Sequence, residues 1–204
     1  MATGYTDPQR RERILATTLE LIAQEGIAGV SHRKIAARAG VPLGSMTYHF
    51  HGIDEVLREA FRHFTDHIVA LTDTHLTELA DQDQARTAVV DLIHVLSDGT
   101  RRDFVLIQEL YTLATREAYY RELVQRWTAH TRSRLEAHFD PDTACQLDAL
   151  IKGLALHRSL LTTPHDSALT FDAVTRITTI RGGGVAGGRL ERPRNTEPSN
   201  ARDE

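Results

Sequence analysis

Apolar residues recur at spacings of three and four along most of the chain, and stretches alternating apolar with polar residues are nearly absent, so the pattern predicts helices and almost no strand. A first helix is expected from about Gln9 to Gln24, with Leu15, Leu19 and Ile22 on one face and Gly26 supplying a left-handed stop. Ser31 is placed to cap a second, two-turn helix that carries Ile35, Ala36 and Ala39 and ends at Gly40. Pro42, whose missing N–H is tolerated in a first helical turn, opens a third short helix to about His49. Two short helices around a tight glycine turn have the outline of a helix-turn-helix. A fourth helix, from about Asp54 into the 70s, shows Leu57, Phe61, Phe64, Ile68 and Leu71 on one face and is long enough to bridge two modules. Beyond a polar break at Asp81-Gln82-Asp83, helical periods appear around Val89 to Leu96, Phe104 to Leu113, Tyr119 to Phe139, Thr143 to Leu161 and Leu169 to Ile180. Breaks at Gly99, near Pro141 and at Pro164 separate several of them.

From Gly182 the composition turns to glycine and then to a polar tail with Pro193 and Pro198, where disorder is expected. Gly182, Gly184 and Gly187 fit a nucleotide-binding glycine pattern formally, but they follow no strand and open no helix, which makes them a linker. The expected organisation is a head at 1–52, a helical body at 53–181 and a tail at 182–204.

Composition narrows the class. With 41% hydrophobic and 25% charged residues the chain reads as soluble and globular, and no run of roughly 18 apolar residues exists to span a bilayer. The opening Met1 to Pro8 lacks the features of a secretory signal, and the single cysteine, Cys145, read as a small buried residue, forms no internal disulfide. A cytoplasmic location is expected. The net charge of −4 hides an asymmetry, since six cations stand against four carboxylates up to Gly52, leaving +2 there and −6 on the rest. A basic head on an acidic body suits a small DNA-binding module joined to a domain with another task.

The stretch from Ser31 to Phe50 carries the most chemistry. Ile35, Ala36, Ala39, Val41, Met46 and Phe50 have the spacing to pack two short helices on the first. The remainder is rich in hydroxyls and donors, Ser31, Arg33, Lys34, Ser45, Thr47, Tyr48 and His49, which suit phosphates and base edges. Gly44 leaves room for close backbone approach, and Leu43 stands at the entry to the third helix, whose N-terminus presents free N–H groups to an anion. On these residues alone, a helical hairpin with a solvated polar face remains an alternative.

Residues from about Arg10 to Phe61 resemble the TetR family of bacterial regulators. The resemblance rests on Ser31-His32-Arg33-Lys34-Ile35-Ala36, then Ala39-Gly40-Val41, then Gly44-Ser45-Met46-Thr47-Tyr48-His49-Phe50, with Asp54-Glu55-Val56-Leu57 opening the next helix. It implies an all-α fold: an N-terminal three-helix helix-turn-helix domain plus a helical-bundle domain for ligand binding and dimerisation. By resemblance Ser31, Tyr48 and His49 contact phosphates, and Arg33, Leu43, Ser45 and Thr47 approach base edges. Two positions depart from the family: Thr47 stands where an aromatic is frequent, and Ile53 where a phosphate-binding lysine is frequent. Arg10, Arg11 or Lys34 would have to make good the lost electrostatic grip.

The resemblance also implies a homodimer that binds a palindromic double-stranded operator and is released by a small organic effector, with no cofactor, metal or membrane. The dimer face is expected on the last two helices, at Leu147, Ala149, Leu150, Gly153, Leu154 and Leu161. The effector pocket is expected among Phe104, Tyr111, Tyr119, Tyr120 and Trp127, where large aromatics concentrate. The fourth helix is expected to act as the lever between them. A rival reading, a metal sensor, rests on His63 and His67 four residues apart. An enzyme is not expected, because no nucleophile elbow, carboxylate pair or phosphate loop is found. A purely structural helical module would bind no DNA.

Overall fold

The computed structural model describes residues 9–98, 101–162 and 166–179. The expected breaks at Gly99 and Pro164, and the tail from Gly182, lie outside the described residues. Among those residues the chain forms helices and no strand: α1 Arg10–Glu25, α2 His32–Ala39, α3 Leu43–His49, α4 Ile53–Leu76, α5 Gln82–Asp98, α6 Arg101–Ala114, α7 Ala118–Glu136, α8 Pro141–Leu160 and α9 Ser167–Thr179. A short 3₁₀ turn at Ile27–Gly29 follows α1.

Local chemistry sets the boundaries. Gly26 has φ 70° and ψ 172°, so it turns the chain with positive φ but does not adopt the left-handed helical stop expected of it. Gly40 does, at φ 64° and ψ 35°, and the Val41 N–H closes the turn on Ala36 O at 3.0 Å. The break expected at Asp81-Gln82-Asp83 falls slightly earlier, at residues 77–81: the Asp81 carboxylate accepts from the Gln84 N–H at 2.8 Å, so α5 begins at Gln82 and runs longer than its apolar stripe. In the same way Asp140 accepts from the Thr143 N–H at 3.1 Å and Pro141 takes the first turn, starting α8 two residues early.

Two apolar clusters hold the helices together. The first joins Ile14, Leu19 and Ile22 of α1, Ile35 of α2 and Met46 of α3 to Phe61 and Phe64 of α4, Leu106 and Leu110 of α6 and Tyr120 of α7. The apolar footing of the head is therefore continuous with α4, α6 and α7 across the expected 52/53 boundary. The second cluster joins Leu76 at the end of α4 to Val89, Leu92 and Ile93 of α5, Leu147 and Ile151 of α8 and Val174 of α9. Leu96 of α5 packs on both.

Candidate DNA interface and ligand cavity

The helix-turn-helix is held from below by residues that its spacing had marked as core. Ile35, Ala36, Ala39, Val41, Met46 and Phe50 are all buried against α1 and α4. Ser31 sits in extended backbone, and its hydroxyl accepts from the Lys34 N–H at 3.3 Å, a long capping bond. Pro42 stands at the cap position just before α3 and not within its first turn.

Above that core lies a surface onto which most of the expected DNA residues project. Ser31, Arg33, Lys34, Leu43, Gly44 and Thr47 are exposed, His49 is half-buried, and Tyr48 is 77% exposed. One open groove between α2 and α3 brings Ser31, Arg33, Leu43 and Thr47 together with Ile53. A Cβ placed on Gly44 would meet nothing within 4 Å, so the α3 backbone is open to approach there. Ser45 departs from expectation: at 8% exposed it is turned into the packing beside Met46 and is withdrawn from the residues offered to base edges. A seven-residue helix wedged against two others buries adjacent positions, and a hydroxyl side chain is small enough to be one of them.

The cations available to phosphate are unequal. Lys34 Nζ is paired with Glu25 Oε2 at 2.6 Å, and Arg11 is bonded to Glu59 while its guanidinium lies 5.2 Å from the Phe50 ring centroid. Both are thus partly neutralised, Lys34 by Glu25 of α1 and Arg11 by Glu59 of α4, and Ile53 adds no charge. Arg33, by contrast, is exposed and has no ion-pair partner among the described residues.

A second feature lies among α5, α6, α7 and α8: a cavity of about 220 Å³ walled by Leu96, Phe104, Ile107, Tyr111, Trp127 and Leu156, with Gln108, Lys152, Gly153, Ala155 and Ser159 completing it. The Tyr111 and Trp127 ring centroids are 6.2 Å apart. Burial and the nearby Asp148 charge push the Tyr111 phenol up to about 12, so it keeps its proton and remains a donor. Lys152 Nζ donates to Asp148 Oδ1 at 2.6 Å and to Thr128 Oγ1 at 2.8 Å, and lies 5.2 Å from the Trp127 ring centroid. Burial pulls this ammonium below its ordinary range, more than the pairing with Asp148 restores.

Three of the five aromatics expected in the pocket, Phe104, Tyr111 and Trp127, line it. Tyr119 and Tyr120 do not. Tyr120 is buried edge-on against Phe61 at 5.7 Å, and Tyr119 donates its hydroxyl to Arg58 O at 3.2 Å beneath the Arg58 guanidinium. Both join α7 to α4. The sequence reading missed Lys152, although Asp148 four residues before it on an apolar helix was a usable signal.

The expected dimer residues also divide. Leu147 is fully buried in the second cluster and does not reach the surface, whereas Gly153 is half-buried, lines the cavity, and would give a Cβ nothing to meet within 4 Å. Leu150 and Leu154 are partly covered by that cluster, whereas Ala149 and Leu161 are exposed. Leu160, Leu169 and Phe171, not singled out from the sequence, are exposed at the end of α8 and the start of α9. Cys145 is exposed and not a buried apolar residue as expected. His63 and His67 are exposed on α4, and the described residues contain no group of three or more metal-ligating side chains. No described helix is long and apolar enough to cross a membrane.

Comparison with known proteins agrees with this arrangement. Residues 14–60 match the model of bacterial regulatory proteins of the tetR family. The chain is 66% identical to SCO7518 of Streptomyces coelicolor A3(2), described as a candidate transcriptional regulator, covering 84% of this chain and 99% of that one with a TM-score of 0.78. A member of the TetR family from Streptomyces coelicolor A3, SCO1917, is 34% identical over 84% of this chain and 99% of its own, with a TM-score of 0.71. The multidrug binding protein EbrR in complex with ethidium is 34% identical over 84% of this chain and 99% of its own, with a TM-score of 0.65, and other EbrR structures hold malachite green and proflavin. An exposed helix-turn-helix face on a buried apolar footing, a helical body and full-length likeness to a family member lead to one conclusion: the chain belongs to the TetR family and is a DNA-binding transcriptional regulator, not an enzyme.

Proposed function

We propose that this regulator is a cytoplasmic homodimeric repressor that grips a palindromic operator and releases it when a small organic effector enters the α5–α8 cavity. Ser31, Tyr48 and His49 hold phosphates. Arg33, Leu43 and Thr47 approach base edges, Gly44 permits close contact, and Lys34 adds a phosphate contact shared with Glu25. Dimerisation uses α8 and α9 through Ala149, Leu150, Leu154 and Leu161, joined by Leu160, Leu169 and Phe171. A two-fold pair of short recognition helices reads enough sequence where one does not.

The observation that carries the proposal is the position of α6. One of its faces supplies Phe104, Ile107, Gln108 and Tyr111 to the cavity. Its other face buries Leu106 and Leu110 in the cluster that includes α1, and Arg102 Nε binds Glu20 of α1. None of the cavity-lining residues belongs to α4, so the lever expected there is reached indirectly, through α6 to α1 and through the Tyr119 and Tyr120 contacts of α7. EbrR with bound dyes supports an organic molecule as the cavity's occupant. A tenfold to hundredfold loss of operator affinity requires coupling of about 1.4–2.7 kcal/mol, within the ordinary allosteric range.

Selection from a random pool of duplexes by the purified protein tests the DNA half. The enriched sequences should form an inverted repeat with half-sites about one helical turn apart, and binding should weaken steeply with salt. Failure to enrich any sequence, or binding indifferent to salt, would overturn it.

A further inference from the structure

The polar groups of the cavity point to the charge of its ligand. Lys152 is the only charged side chain among the described residues lining the cavity. Its carboxylate partner, Asp148, is 2% exposed and is shared between Lys152 at 2.6 Å and Arg132 at 3.3 Å, so it does not serve Lys152 alone. With 21% of its side chain exposed, Lys152 is only partly solvated, so an anion brought to its ammonium gains more than it would at the open surface. The indole face of Trp127, the natural seat for a cationic ligand, already has the Lys152 ammonium over it. Tyr111 stays a hydrogen-bond donor, and the adjoining hollow, which shares Phe104 and Ser159 with the cavity, adds Arg101 to its lining. At about 220 Å³ the space falls below the roughly 300–1,000 Å³ of drug-sized sites, which suits one or two rings.

We infer that the cavity selects a small aromatic carboxylate, its ring among Phe104, Tyr111 and Trp127 and its carboxylate on Lys152 Nζ. This rests on the reading of the cavity as the effector site and adds the ligand's charge to it. Relatives that bind cationic dyes such as ethidium would then differ from this chain in the sign of the charge they accept.

Trp127 is the only tryptophan in the sequence, so its fluorescence reports on the cavity wall without labelling. The full chain is titrated with three probes of one skeleton, 3-phenylpropanoate, 3-phenylpropanamide and 3-phenylpropylammonium, by fluorescence and calorimetry. The carboxylate should bind about tenfold tighter than the amide, the worth of a charge-assisted bond in a buried site, and the ammonium weakest. Lys152→Met, with Lys152→Gln as a second variant and circular dichroism to check folding, should bring carboxylate and amide level. Because Asp148 is then left to Arg132 alone, the ammonium should gain relative to wild type. The wild-type order decides the matter even if neither variant folds. If the amide or the ammonium perturbs Trp127 while the carboxylate binds no better than the ammonium, the anion preference is overturned and the cavity reading stands. If none of the three probes perturbs Trp127, both fall.

Discussion

Arg102 of α6 donates from Nε to the Glu20 carboxylate of α1 at 2.5 Å, joining the helix that walls the cavity to the first helix of the DNA-binding head. The two residues are 82 apart in sequence, and the bond lies at the surface of the apolar contact between α1 and α6.

Arg102→Ala should therefore weaken communication more than it weakens the fold. Both side chains are partly solvated, so the stability loss should be no more than about 1 kcal/mol. The ratio of operator affinities without and with effector should shrink severalfold, read by fluorescence anisotropy of a labelled duplex. An unchanged ratio would remove this bond from the coupling route.

Phe50 and Tyr48 should separate packing from binding. Phe50 is buried at the foot of α3, so Phe50→Ala should cost about 3–5 kcal/mol in urea unfolding. Tyr48 is exposed, so Tyr48→Ala should change stability by less than about 0.5 kcal/mol while weakening operator binding. Comparable destabilisation by both would mean that Tyr48 belongs to the packing.

Glu25 restrains a cation that could serve DNA. Glu25→Gln releases Lys34 from its 2.6 Å pair, and the surface exposure of both makes the structural cost small. Operator affinity at low salt should rise, and the slope of log K against log salt should steepen by up to about 0.9, one phosphate's worth. An identical slope would show that Lys34 does not reach phosphate.

Asp73 supplies a pH signature. Burial raises its pKa, but bonds from His130 at 2.8 Å and Arg134 at 2.6 Å outweigh that, and the carboxyl is held below its ordinary value. A depressed carboxyl contributes stability that is present at neutral pH, begins to fade near the unfolded value of about 4 and is lost as pH falls through the folded one. The urea midpoint of the wild type should thus drop more steeply below pH 5 than that of Asp73→Asn. Parallel curves would leave the α4–α7 junction without this contribution.

The fold was legible where chemistry is local. Periodicity located every described helix, and Ser31 and Gly40 marked α2 through a cap and a left-handed turn that few other residues satisfy. Capping by Asp81 and Asp140 was overlooked because aspartates in a polar run resemble a loop as much as a helix start. The exposure of the candidate DNA residues was legible except for Ser45, whose residue type says nothing about which side of so short a helix it occupies. The cavity was half legible. Tyr120 and Trp127 share one face of α7, but seven residues separate them by about 10 Å along the axis, so one reaches α4 and the other the cavity. Leu147 lies in the core and not on an outer face, because an apolar helix face does not reveal whether its neighbour is in the same chain.

The central claim is that cavity and operator are energetically linked. Titrating 3-phenylpropanoate into the protein, followed by Trp127 fluorescence, with and without a saturating selected operator, measures that link directly. A ligand affinity at least tenfold lower in the presence of operator is the predicted result, equal to about 1.4 kcal/mol of coupling. Equal affinities in the two titrations would contradict the account.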